Sequence, residues 1–293
     1  MRKENLAKAM MAAAMFAFGT LAPFVKNVNV TSAELALYRA LMATAVVGGF
    51  LLLTGQRLSF ANVKKELLLL LLSGAAMGFN WILLFEAYKY TSVSVATLSY
   101  YFAPVIVMVA CPLIFGERLG VKQMLCFTLA TVGMVLITGA AGGGRNDLIG
   151  IAFGLGAAVL YASVMLLNKF IKGVSGLQRT FVQFLSAVAV LLPYVAIGDG
   201  FSIGGLQRSG WICLIVVGII HTGVTYCAYF SALKELRGQE VAILSYIDPL
   251  VAVLVSVIWL NERITLPQII GGALILGFTL LSELRIGKGG STR

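Results

Sequence analysis

Two residues stand where side chains of their kind are costly. His221 is the single histidine, and it falls in the middle of an apolar block. Asp248 falls about eight residues into another such block, ~12 Å along a helix, and directly precedes Pro249. An ionisable group this deep in apolar surroundings faces either a cavity or a partner that offsets its desolvation. An imidazole there would bind a solute or exchange a proton. A carboxylate would bind an ammonium group or a proton. The adjacent proline lacks a backbone donor and crowds the preceding turn, so it frees a carbonyl at the same depth.

A wider polar and aromatic set surrounds these two. Thr225 and Tyr229 follow His221 at helical spacing, and Thr222 with Tyr226 makes a neighbouring pair, so the sequence predicts one polar, aromatic helix face. Asn80 and Trp81 sit deep in a third block, with Thr97, Tyr100, Tyr101, Tyr161 and Tyr246 in others. Aromatic rings of this kind hold apolar, aromatic or cationic solutes. The candidate binding residues are Asn80, Trp81, Tyr101, Tyr161, His221, Thr225, Tyr226, Tyr246 and Asp248, and the candidate hinges are Pro104 and Pro249. Each also has a plainer reading: a histidine bonded between helices, an aspartate satisfying backbone donors, a tyrosine packed in a bundle. Glu34 and Arg39 lie in the outer third of their block and read as snorkelling or as paired with each other. Glu86 reads as structural or as an outer-gate residue. The sequence has no Walker motif, no paired-cysteine metal motif and no nucleophile constellation, so no cofactor, metal or catalytic residue is expected.

The elements that position these residues follow from composition. The chain is 59% hydrophobic and 12% charged, whereas soluble domains carry about 25% charged residues. The apolar residues form ten blocks near the length that crosses a bilayer: 5–25, 33–54, 67–88, 93–115, 121–140, 148–170, 178–197, 210–232, 240–260 and 266–285. The predicted fold is an all-α polytopic membrane protein. A β-barrel is excluded, because its strands alternate apolar and polar residues and these blocks do not. The start resembles a signal peptide but reads as the first span, since a second apolar block follows at once.

The net charge of +10 points to orientation rather than to nucleic acid, because the charges sit in short loops. With both termini on one side, sixteen of the 22 Lys and Arg fall on that side, five fall on the other, and Arg39 lies within a span. This asymmetry predicts both termini in the cytoplasm and a multi-pass protein of the cell membrane.

The segment Tyr246–Arg263 has a twin 145 positions earlier, Tyr101–Arg118; both read Tyr, two residues, Pro, twelve residues, Glu-Arg. At the same offset Gly78 pairs with Gly223, Phe85 with Phe230, Ala87 with Ala232, Lys89 with Lys234 and Gln123 with Gln268. Two five-helix repeats are expected, 1–141 and 142–293, inverted because five is odd. They differ where Ala103 matches Asp248 and Ala76 matches His221.

These paired segments, the five-plus-five layout and the length make the chain resemble the drug/metabolite transporter superfamily, in particular the ten-helix EamA-type exporters that include aromatic amino acid exporters. The resemblance implies a basket-like bundle around a central cavity lined by the first, third, fourth, sixth, eighth and ninth helices, working by alternating access. The implied activity is export of small metabolites, amino acids first. The alternatives are efflux of multiple drugs or quaternary amines, and, from other classes, a membrane enzyme or a channel. Against the drug-efflux mechanism, the first span has Thr20 and Pro23 but no acid. The expected partners are a small-molecule solute and the lipid bilayer, with protons as a candidate coupling ion, no nucleic acid and a monomeric state.

Overall fold

A computed structural model describes the backbone of residues 2–56, 60–115, 121–140, 144–198, 200–236 and 238–283. Glu117 and Arg118, which end the first copy of the repeated segment, lie outside the described residues, as do Gly142 and Gly143 in the expected join between halves. The described chain is helical with no strand: α1 (Arg2–Gly19), α2 (Leu21–Lys26), α3 (Ser32–Leu53), α4 (Phe60–Lys65), α5 (Leu67–Tyr90), α6 (Val93–Tyr100), α7 (Ala103–Phe115), α8 (Val121–Ala140), α9 (Arg145–Phe170), α10 (Gly176–Ile197), α11 (Arg208–Ile215), α12 (Thr225–Leu233), α13 (Gly238–Ser245), α14 (Ile247–Ile258) and α15 (Leu266–Glu283). Runs this apolar adopt helices because hydrocarbon offers no partner for the backbone, and a helix satisfies every internal N–H and C=O within itself. Side chains set some of the boundaries. The Thr31 hydroxyl accepts from the Glu34 N–H at 3.1 Å to start α3, and the Ser92 hydroxyl accepts from the Val95 N–H at 3.2 Å to start α6.

Among the described residues, seven helical stretches are long and apolar enough to cross a membrane: Lys3–Lys26, Ser32–Leu53, Leu67–Tyr90, Val93–Ala110, Arg145–Phe170, Gly176–Ile197 and Arg208–Leu233. Three shorter apolar helices, Met124–Ile137, Ile243–Ile258 and Leu266–Leu281, occupy the remaining sequence blocks. The outward faces carry exposed leucine and isoleucine, including Leu52, Leu53, Leu113 and Ile258. The protein is a multi-pass helical membrane protein.

Several blocks carry one or two turn residues that break the regular helix without ending its run. The first breaks at Thr20, between α1 and α2. The fourth breaks at Tyr101–Phe102 and the ninth at Tyr246, so α6 and α13 end at positions 145 apart. Each of these two breaks comes just before a proline. Pro104 and Pro249 fall in the first turns of α7 and α14, where a missing N–H removes no intrahelical bond. The eighth block is unbroken but irregular: between α11 and α12, residues Val216–Val224 form a π-helical stretch. There the Thr222 and Thr225 hydroxyls donate to carbonyls five residues back, Val217 at 2.8 Å and Ile220 at 2.7 Å. With hydrogen-bonded loops one residue longer than in an α-helix, this stretch turns the Thr222 and Thr225 hydroxyls onto its own backbone.

The main core joins α3, α5, α10 and the π-helical stretch around Phe85, Phe184, Leu37 and Leu191. On α9, Gly150 and Gly154 bring α6 close, with Thr91 and Ser99 against them. Glycines set the crossing of α8 with α15: a Cβ on Gly133 or on Gly271 would lie 2.5 Å from the other's carbonyl oxygen. At one end of the bundle, Glu262 accepts from the N–H groups of Val93 at 2.8 Å and Ser94 at 3.4 Å, capping α6, and from the Lys26 ammonium at 2.9 Å. One carboxylate therefore ties the end of α2, the start of α6 and the segment after α14.

Candidate functional site

The interruptions converge on a chamber. Asp248 sits in the first turn of α14, where the helix dipole favours a carboxylate. It accepts a hydrogen bond from the Tyr101 hydroxyl, and Tyr101 belongs to the break between α6 and α7. One side-chain bond thus joins the two broken spans. The end of α1 packs on the same turn: a Cβ on Gly19 would fall 2.5 Å from the Asp248 carbonyl oxygen and 2.7 Å from the Val251 Cβ. Only glycine lets α1 approach so closely.

The cavity above this turn has a volume of about 130 Å³ and is lined by Gly19, Arg39, Trp81, Tyr88, Thr97, Tyr100, Tyr101, Tyr161, Tyr226 and Asp248, among others. A second cavity of about 320 Å³ shares Tyr100, Tyr101 and Tyr161 with it and is also lined by Pro104, Met165, Tyr229, Ser245 and Tyr246. Tyr100 and Tyr161 stack with ring centroids 5.2 Å apart, forming a wall common to both. The second cavity is of the size that takes a small metabolite, and the aromatic lining of both suits an apolar or aromatic body.

Arg39 is the charged residue that snorkelling was expected to carry to the surface. It is 3% exposed and lines the chamber. Its Nε donates to the Thr222 hydroxyl at 2.7 Å, and its guanidinium carbon lies 4.3 Å from the Trp81 ring centroid. Nor does it pair with Glu34, because Glu34 is taken up elsewhere. The Glu34 carboxylate accepts from the backbone N–H groups of Ser202 and Ile203 at 3.0 Å, from the Ser202 hydroxyl at 2.5 Å and from the Tyr38 hydroxyl at 3.1 Å. The loop at Ser202–Ile203 is thereby tied to the start of α3. Glu86 is held at the end of α5 by Lys89 at 2.8 Å.

Of the residues singled out from the sequence, Trp81, Tyr101, Tyr161, Tyr226 and Asp248 line the chamber, and Tyr246 and Pro104 line the second cavity. The other three binding candidates do not line either cavity, each for a physical reason. The Asn80 amide is drawn to α9, where it donates to the Ala157 carbonyl at 2.6 Å. The π-helical register commits the Thr225 hydroxyl to Ile220. His221 is wedged between helices: Nε2 lies 3.2 Å from the Thr20 hydroxyl, Nδ1 lies 3.3 Å from the Val216 carbonyl oxygen, and the Phe24 ring sits 4.8 Å away. Pro249 is buried beneath the Asp248 turn. Sequence reasoning left out Arg39, Tyr88 and Gly19. For Arg39 a signal existed, since of the 22 basic residues it lies furthest inside a predicted span.

An all-helical, multi-pass bundle with a small polar and aromatic chamber where broken helices meet has the build of a solute carrier. The chain belongs to the EamA-like transporter family, whose pattern matches residues 6–139 and again residues 148–283. It is 31% identical over 295 residues to the uncharacterized transporter YxxF of Bacillus subtilis, covering 99% of this chain and 94% of that one. An uncharacterized transporter of Archaeoglobus fulgidus is 34% identical over 197 residues, covering 67% of this chain and 69% of that one. Protein RarD of Escherichia coli is 24% identical over 202 residues, covering 69% of this chain and 67% of its own. A solved crystal structure shares the fold with a TM-score of 0.64 at 20% identity, covering 96% of this chain and 99% of that chain. The protein is a membrane transporter of small solutes and not an enzyme.

Proposed function

We propose that this transporter is a secondary carrier that exports small metabolites, amino acids first, across the cytoplasmic membrane by alternating access. The observation that carries the reading is the Tyr101–Asp248 bond, which couples the two helix breaks inside a polar and aromatic chamber. A solute that engages Asp248 competes for this bond and so acts on both broken spans at once. The halves 1–141 and 142–293 are read as inverted five-helix repeats within ten spans. Three facts support this: the family pattern matches twice, the breaks fall 145 residues apart, and the basic residues are strongly asymmetric. Pro104 and Pro249 then sit beside the hinges, both termini face the cytoplasm, the carrier works as a monomer, and Asp248 is the group through which protons couple to export.

Counterflow in proteoliposomes tests the reading. Vesicles preloaded with an unlabelled amino acid accumulate the labelled one transiently only through a carrier, which separates it from an open pore. Asp248→Asn is expected to lower this exchange at least tenfold with unchanged folded yield, and an imposed pH gradient to drive uphill flux in the wild type. Equal loss of flux and of folded yield would assign Asp248 to structure. Flux that only relaxes the solute gradient would remove protons from the scheme.

A further inference from the structure

We infer that Arg39 is the anchor for a carboxylate on the transported solute, so that the chamber is built for zwitterions and discriminates against simple cations. This inference rests on the chamber being the solute site. The guanidinium is buried, and among the described residues no acidic side chain lies within 4 Å of it. Thr222 and the face of Trp81 hold it from behind, through Nε and through the π cloud. The two terminal nitrogens make no hydrogen bond with the described protein, while the residue lines the chamber wall. A cation taken out of water without a counter-ion is costly, and it persists where something else supplies the negative charge.

The shape of the group narrows the ligand. A guanidinium held at Nε presents its terminal N–H groups as a fork, which matches the two oxygens of a carboxylate. Asp248 lines the same chamber from α14, oriented by the Tyr101 hydroxyl, and accepts an ammonium group. Arg39 and Asp248 form no direct ion pair, so both charges stay available to one small molecule that carries both partners. The rings of Trp81, Tyr100 and Tyr226 surround the space left for its side chain. The solute class is an α-amino acid with an apolar or aromatic side chain. A quaternary amine or lipophilic cation would leave the guanidinium unneutralised at close range.

The test uses the full-length protein in liposomes and measures inhibition of labelled phenylalanine counterflow by unlabelled phenylalanine, phenylalanine amide and phenethylamine. A site built to bond a carboxylate rejects analogues lacking it by large factors. The amide and the amine are therefore expected to inhibit at least ~100-fold more weakly than the amino acid. Arg39→Gln is expected to abolish that preference. Arg39→Lys, which keeps the charge and loses the fork, is expected to retain part of it, and the wild-type analogue series stands even if Arg39→Gln does not fold. Equal inhibition by amide, amine and amino acid would overturn the inference, as would full discrimination surviving in Arg39→Gln. If no amino acid exchanges but an amine or a sugar does, the inference falls and the carrier reading stands. If none of the three classes exchanges, both fall.

Discussion

At the scale of single residues, the chamber is organised by two groups with opposite charges and different supports. Asp248 leans on one hydroxyl, and Arg39 leans on a hydroxyl and an indole. Removing the support is gentler than removing the charge. Tyr101→Phe leaves a buried carboxylate oxygen without its donor, at a cost of about 1–3 kcal/mol. Transport is expected to fall by less than in Asp248→Asn, and detergent-solubilised protein to unfold a few degrees earlier in a thermal melt. Trp81→Leu removes a cation–π contact worth ~0.5–2 kcal/mol and is expected to weaken solute affinity several-fold, read as a rise in half-saturating concentration. Asp248 was legible in the sequence because its depth leaves few other roles. His221 is equally deep, yet its ring is satisfied by Thr20 and Val216. Depth alone cannot separate a group that lines a cavity from one already satisfied between helices. Arg39 looked like a snorkelling residue because sequence distance to a helix end does not show that Thr222 and Trp81 hold its side chain inside.

Among the elements, the chamber is built at departures from regular helix. Prolines at 104 and 249 marked two of the breaks to within three residues, since a residue that cannot donate is best placed where no donor is needed. The π-helical stretch had no such mark: hydrophobic periodicity assumes 3.6 residues per turn and passes over one wide turn. It nevertheless sets the Thr222 hydroxyl against Arg39. The Glu262 tie makes a second prediction. In Glu262→Gln an amide replaces the carboxylate that caps α6 and holds Lys26, and the expected loss is about 1–3 kcal/mol, visible as a lower melting temperature. The same substitution is expected to raise the rate at which a water-soluble thiol reagent reaches a cysteine introduced at Val28, because α2 is no longer held against α6. Unchanged labelling would show that the ends of these helices are fixed by packing alone. Gly19→Val is expected to abolish transport by forcing α1 off the Asp248 turn, measured as lost counterflow.

For the molecule as a whole, the blocks, their order and the charge asymmetry were plain in composition, because hydrocarbon thickness leaves a strong imprint on a chain. Helix length in space was less plain. Three blocks appear as shorter apolar helices, and Tyr246 interrupts one of them. The chamber draws on both proposed halves, with Gly19, Arg39, Trp81 and Tyr101 from the first and Tyr161, Tyr226 and Asp248 from the second. Co-expression of 1–141 and 142–293 as separate chains is therefore expected to restore counterflow that neither gives alone. Recovery of flux from one half by itself would mean that the chamber does not need both.

The stacking of Arg39 on Trp81 also makes the chamber observable by light. The chain has three tryptophans; Trp211 and Trp259 sit on the outside of the bundle, while Trp81 is 4% exposed beneath the guanidinium. With Trp211 and Trp259 replaced by phenylalanine, all indole emission comes from the chamber wall. Any solute that draws the guanidinium toward itself changes the charge above that ring, so occupancy should register as a saturable change in emission intensity or wavelength, in detergent and without a membrane gradient.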